Sequence, residues 1–374
     1  MVENGEKKID YGRFKMEMYP VIHRRKVPFD PHIRLNLEYR NMIDEIRKLD
    51  RELGGMILNG EDYMELVVDA YANNIHWSVK LEGNDLPLEE VRRLTTLFTK
   101  GKIEETNRGP NQEILNHLYS FFLKDFFGLP WNLDNITRTH GLLMNGVSRH
   151  EISGIIRKEE VSIVGNDGRE YFVACPPGSI EEEMNSLLEW LEESPYDEIV
   201  TSVLFFHEFE SIHPFQDGNG RTGRTLFQIL LQELGLKNAG LCKFEQRLLK
   251  NSENYYNLLA YVDGTAEYYP LIMYVTESLL QAYAEAVDIF KNKDVLRDLD
   301  ENSKVIAIRA KKASSFTLAD VRSWIEPLGE QTIRTKLNEL VEIGVLKKSG
   351  RTKGMIFEFN DPFKDILKSR SDDE

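Results

Sequence analysis

His213-Pro214-Phe215-Gln216-Asp217-Gly218-Asn219-Gly220-Arg221-Thr222-Gly223-Arg224 lies between two apolar helical patterns. Upstream, Ile199, Val200, Val203, Leu204, Phe206 and Ile212 recur at helical spacing; downstream, Leu226, Phe227, Ile229, Leu230, Leu231 and Leu234 do the same before Gly235. The string is thus a turn between two buried helices. Pro214 disfavours helix at His213, and Gly218-Asn219-Gly220 permits positive backbone angles and close approach. The second helix opens with free N–H groups and the positive end of its dipole toward the turn, which attracts phosphate.

The side chains in this turn extend the same chemistry. Arg221 and Arg224, three residues apart on the first turn, project from one face and can grip one polyphosphate. Asp217 offers a hard oxygen ligand beside them, of the kind Mg²⁺ shares with phosphate oxygens and waters. His213, neutral near pH 7, can accept a hydroxyl proton as general base. The chemistry indicated is attack of a hydroxyl on a phosphate of a Mg²⁺–nucleotide.

The string resembles the Fic family signature HPFx(D/E)GNGRxxR, and the likeness extends over roughly residues 60 to 290. The resemblance implies a mainly α fold: an all-helical Fic core with a small β-hairpin flap. It also implies ATP with Mg²⁺ and transfer of AMP to a Ser, Thr or Tyr hydroxyl of a target protein. In that scheme His213 is the base and Asp217 the Mg²⁺ ligand. Gly218, Asn219 and Gly220 form the hole for the α- and β-phosphates, and Arg221 and Arg224 hold the β- and γ-phosphates. Doc-type phosphotransferases carry a Lys where this chain has Gly220, which favours AMP transfer over phosphate transfer.

A second feature is Ser78-Val79-Lys80-Leu81-Glu82-Gly83-Asn84. Ser78 and Glu82 stand at i and i+4 on a short helix, about residues 72–83, whose stop would be Gly83. An acid at the negative end of a helix is disfavoured unless it finds a cation elsewhere, and Arg221 and Arg224 are the open cations. The segment is similar to the Fic inhibitory pattern (S/T)xxxE(G/N), which implies that Glu82 pairs with Arg224 and excludes the γ-phosphate.

Between these motifs, Ile155-Ile156-Arg157 and Val161-Ser162-Ile163-Val164 alternate like two short strands turning at Lys158-Glu159-Glu160. By the family resemblance, Gly154 to Val164 is the flap that docks the target by strand addition, with Gly154, Ile155, Ile156, Val161, Ile163 and Val164 as its residues. Beyond the motif, Tyr256 within Glu253-Asn254-Tyr255-Tyr256-Asn257-Leu258-Leu259 becomes a candidate adenine contact by the same resemblance. Asp263 departs from the Asn that many members carry there.

The chain divides into an N-terminal arm and helix (1–60), a catalytic core (61–290) and a C-terminal piece (304–360). In the arm, the basic, proline-punctuated stretch His23 to Pro31 is expected to pack on the core, followed by a helix from about Arg34 to Leu53. Net charge is −15, yet residues 303 to 360 hold eleven Lys or Arg against six Asp or Glu. That piece, set off by the polar stretch Lys291 to Ser303, shows three helical patterns and two strands: the layout of a winged helix-turn-helix domain. DNA is a candidate partner through Arg334, Lys336, Arg351 and Lys353.

With no signal-peptide core, no run long enough to span a bilayer and two cysteines, a cytoplasmic setting and no membrane partner are expected. A homodimer is a further candidate assembly. The reading these features favour is AMP transfer restrained by Glu82; the alternatives are AMP removal assisted by Glu82, which the family resemblance also implies, and DNA-binding regulation with a nucleotide-sensing core.

Overall fold

A computed structural model of the chain describes residues 9–15, 22–102, 109–122, 128–147, 152–164, 170–350 and 354–362. From the N-terminus come α1 (Leu37–Gly55), α2 (Gly60–Lys80), α3 (Leu88–Thr99), α4 (Pro110–Phe122) and α5 (Leu133–Met144). The hairpin β1 (Ser162–Val164) and β2 (Glu170–Val173) precedes α6 (Ile180–Glu192), α7 (Glu198–Ile212), α8 (Asn219–Leu234), α9 (Phe244–Leu249), α10 (Ser252–Thr265) and α11 (Tyr269–Lys293). The chain closes with α12 (Glu301–Lys312), α13 (Leu318–Trp324), α14 (Glu330–Glu342), β3 (Leu346–Ser349) and β4 (Ile356–Phe359). The fold is mainly α, as the helical periodicities require.

At its centre is α7, buried on every face with polar residues such as His207 and Glu208 among its apolar ones, and packed on α8, α6 and α11. Its start is fixed by Asp197, whose side chain accepts from the N–H groups of Ile199 and Val200 and from the hydroxyl of Tyr39 on α1. Its end is His213, in the left-handed conformation (φ 53°, ψ 61°). Six residues later α8 begins after Gly218, itself left-handed at φ 81°. Two successive reversals thus separate the helices without a long loop.

The N-terminal arm packs on this core as expected. Ile22 pairs in parallel with Val173, Phe29 meets Trp190 edge-on at 4.9 Å, and Lys26 pairs with buried Glu208 at 2.6 Å. The helix foreseen from Arg34 runs instead from Leu37 to Gly55, because Asn36 caps it by accepting from the Tyr39 N–H.

The C-terminal elements follow the expected order of three helices and a hairpin, with Leu346 opposite Phe359 and Ser349 opposite Ile356. The stretch Lys291 to Ser303, however, does not set this piece apart. Ile57, between α1 and α2, is buried with Ile306, Phe316, Leu337 and Phe357, and it exchanges hydrogen bonds with Val295 and Asp294. Gly60, the first residue of α2, donates to the carbonyl of Gly344 at 3.1 Å. One apolar residue in a tight connection anchors the two units together. Among the described residues no helix is long and apolar enough to cross a membrane.

Candidate active site

The turn joining α7 to α8 brings the sequence motif into one cradle. The first N–H groups of α8 have no intrahelical acceptor, and no side chain caps them. Asn219 does not point its amide at that opening. Its Oδ1 accepts from the Phe215 N–H at 2.9 Å and its Nδ2 donates to the Phe215 carbonyl at 2.7 Å, bracing the turn so that backbone donors face outward. A Cβ on Gly220 would come 2.5 Å from Glu82 Oε1 and 2.8 Å from Arg224 Nη1. A carboxylate therefore lies directly over the helix N-terminus.

Glu82 is held there by Arg224, which donates from Nη2 at 2.8 Å. Arg224 also donates to the hydroxyl of Ser78 at 2.9 Å and to the Ser78 carbonyl at 3.0 Å. Burial raises the Glu82 pKa, but Arg224, Arg221 and His213 together outweigh it and leave the carboxyl below its ordinary range. The helix bearing these residues is longer than the sequence implied: it starts at Gly60, ends at Lys80, and leaves Glu82 in the following turn, with Gly83 at φ 90°.

Arg221, expected to wait for phosphate, already has two acids. Glu113 accepts from it at 2.6 Å and Asp217 at 2.8 Å. Glu113, on α4, also accepts from Asn84 Nδ2 at 2.6 Å. The open cations of the sequence reading are therefore filled from within the chain. Asp217 additionally accepts from the Gly218 N–H at Oδ1; its side chain is about half exposed, and both hydrogen bonds it accepts among the described residues fall on that one oxygen. A single carboxylate oxygen at the rim of a phosphate cradle suits Mg²⁺, which keeps most of its other ligands as water and phosphate.

His213 has an assignable tautomer. Its Nδ1 lies 3.3 Å from the Glu210 carbonyl, which can only accept, so Nδ1 carries the proton and Nε2 keeps its lone pair. Burial, against the pull of that carbonyl, pushes the ring down to about 4 and keeps it neutral at physiological pH. His140, which sequence reasoning passed over, stacks on Phe215 at 3.7 Å, donates from Nε2 to the Asp217 carbonyl and accepts the Gly154 N–H at Nδ1. Its signal was absent from the sequence because it lies on α5, far from the motif.

The hairpin differs from the one expected. Ile155-Ile156-Arg157 does not pair with Val161 to Val164; β1 pairs with β2, Ser162 opposite Val173 and Ile163 opposite Phe172. Ile156 instead bridges to Phe215, and Arg157 turns inward onto backbone carbonyls, so this strand is consumed by the motif. Gly154, Ile155, Ile156 and Val161 form the approach to the hairpin, with Ile155 about half exposed. Tyr256 is partly exposed beside buried Tyr255, and burial followed by nearby Arg224, Glu82 and Glu210 acts on its hydroxyl, pushed up to about 12.

Residues 130–231 match the Fic/DOC family. That stretch, which runs from α5 into α8 and holds the motif between α7 and α8, is a Fic/DOC-type domain. The chain is 23% identical over 311 residues to a protein adenylyltransferase of Nematostella vectensis, covering 75% of this chain and 68% of that one. It is 27% identical over 199 residues to a probable protein adenylyltransferase of Aquifex aeolicus, covering 44% of this chain and 61% of the relative. Against the Aedes aegypti relative the match takes in 33% of that protein, so the chain spans only part of several relatives. Among solved structures, a Fic family protein from Desulfovibrio desulfuricans superposes with a TM-score of 0.60 at 23% identity, covering 88% of this chain and 98% of that one.

The C-terminal candidates for DNA contact are not free cations. Arg334 pairs with Glu330 on its own helix, and Lys336 pairs with Asp300 and is largely covered. Arg351 and Lys353 lie outside the described residues. No partner of this surface follows from that geometry.

Proposed function

We propose that this Fic-domain protein is an autoinhibited protein adenylyltransferase, transferring AMP from ATP to a Ser, Thr or Tyr hydroxyl of a target protein. The observation that carries the reading is the position of Glu82: its carboxylate lies over Gly220 at the N-terminus of α8 while bound to Arg224, where an anionic group of a nucleotide would sit.

In the reaction, a target hydroxyl gives its proton to His213 Nε2 as its oxygen bonds to the α-phosphorus of ATP, and the bond to pyrophosphate breaks. The N–H groups at the start of α8 meet the charge growing on the phosphoryl oxygens. Asp217 would hold Mg²⁺, whose charge, when bound, offsets that of the phosphates. Arg221 and Arg224 bind the outer phosphates, which requires Glu82 to leave Arg224. The β1–β2 hairpin and its approach from Gly154 would dock the target segment, with Tyr256 beside the base.

The test is incubation of wild type, Glu82→Gly, and Glu82→Gly with His213→Ala in cell lysate with α-³²P-ATP, with and without Mg²⁺. Label on protein in Glu82→Gly with Mg²⁺, weak in wild type and lost with His213→Ala, is expected. Absence of label from folded, ATP-binding Glu82→Gly protein would overturn the reading.

A further inference from the structure

Arg157 is buried at 4% exposure, yet among the described residues no carboxylate lies within ion-pair distance of it. Its guanidinium is spent on main-chain carbonyls. Nε donates to His213 at 2.7 Å, Nη2 to Ile212 at 3.2 Å and Cys175 at 2.5 Å, and Nη1 to Glu159 at 2.8 Å. The Arg157 backbone N–H adds a bond to the Pro214 carbonyl at 3.0 Å. Three consecutive carbonyls at the end of α7, from Ile212 to Pro214, thus bond to one residue, and the carbonyls of Glu159 and Cys175 flank the hairpin on either side.

These carbonyls sit at the negative end of the α7 dipole, where a cation is favoured. They belong to the turn that holds His213 left-handed at φ 53°, a region that suits Gly and that an L side chain enters only when its surroundings impose it. A planar fork with five donors can impose it; an ammonium cannot bond so many divergent carbonyls in fixed geometry.

We propose that Arg157 is a positioning residue for His213, locking the left-handed turn that aims the imidazole and fastening that turn to the base of the β1–β2 hairpin. The proposal rests on His213 being the general base. Through this one side chain, a target segment laid on the hairpin and the base that deprotonates it keep a fixed mutual geometry. Misplacement of a base by about an ångström costs on the order of a hundredfold in rate.

The experiment uses the full chain carrying Glu82→Gly, to which Arg157→Lys and Arg157→Met are added separately. AMP transfer is measured as kcat per nucleotide-binding site, alongside KM for ATP and the affinity for Mg²⁺–ATP. In both variants kcat is expected to fall about a hundredfold while KM for ATP and nucleotide affinity stay within about threefold. Arg157→Lys keeps the charge and decides the matter even where Arg157→Met does not fold. A kcat loss in Arg157→Lys below about tenfold, or a parallel loss of nucleotide affinity, would overturn the proposal in favour of a structural role. If Glu82→Gly alone transfers no AMP, it is the catalytic reading that has failed, before Arg157 is tested.

Discussion

Glu113 on α4 and Arg221 on α8 meet at 2.6 Å with both side chains almost excluded from water. Asn84 donates to the other Glu113 oxygen at 2.6 Å, so the segment Glu82-Gly83-Asn84 reaches both motif arginines: Arg224 directly and Arg221 through Glu113. Removing the Glu113 charge leaves Arg221 with Asp217 alone. We expect Glu113→Gln to lower stability without nucleotide by about 2 kcal/mol in urea titrations. Mg²⁺–ATP should raise the Tm of this variant more than that of wild type, because its phosphates no longer compete with Glu113; an equal rise would count against that competition.

Ser78 offers its hydroxyl to Arg224 Nε at 2.9 Å, in addition to its carbonyl. Ser78→Ala removes one of the contacts that hold Arg224 toward Glu82 and leaves the others. Labelling with α-³²P-ATP should therefore be faster than in wild type and slower than in Glu82→Gly.

Burial pushes the Glu210 carboxyl up to about 8, with Arg224 pulling it down and Glu82 adding to the rise. In the unfolded chain it titrates near its ordinary value of 4.5. Between these values the folded chain holds a proton that the unfolded chain has released, so stability falls as pH rises through this window. Glu245, pushed up to about 7 chiefly by burial, acts in the same direction. Below about pH 6.5 the buried histidines His213, His117 and His140, all lowered from 6.5, act in the opposite direction, so the Tm should decline between about pH 6.5 and pH 8, and Glu210→Gln should flatten that decline. A variant as pH-dependent as wild type would rule Glu210 out as its source.

Gly223 faces α7 so closely that a Cβ there would meet Glu210 Oε1 at 2.2 Å and Phe209 at 3.0 Å. Gly223→Ala should cost about 2 kcal/mol of stability through overpacking, read by denaturant unfolding.

Ile57 is fully buried among residues of the C-terminal unit although it belongs to the connection between α1 and α2. Ile57→Ala should destabilise that unit by about 3 kcal/mol, seen as early loss of amide protection over α12–α14 in hydrogen exchange. Unchanged protection there would show that Ile57 contributes little to that core.

Much of this molecule is written locally. The apolar periodicity around Val203 and Leu230 is enough to specify two buried helices, because an amphipathic or all-apolar helix declares itself within a few turns. The turn chemistry of Pro214 and Gly218, and the spacing of Arg221 and Arg224, lie within one short stretch for the same reason. Helix ends were shifted where a cap such as Asn36 or Asn59 took over.

What the tertiary structure alone decided are the partners. Glu113 lies 108 residues from Arg221, and His140 lies 77 from Asp217, separations over which no spacing rule operates. The strand that ought to have paired with Val161 to Val164 was captured by Phe215, and Arg157 was drawn beneath His213, because a buried helix end presents unpaired carbonyls that attract a donor from whichever segment packs there. The sequence by itself determined which groups could do chemistry, since side-chain identity and local backbone preference reside in neighbouring residues. Which acid quiets which arginine, and what aims the histidine, depended on packing that brings distant residues within 3 Å of one another.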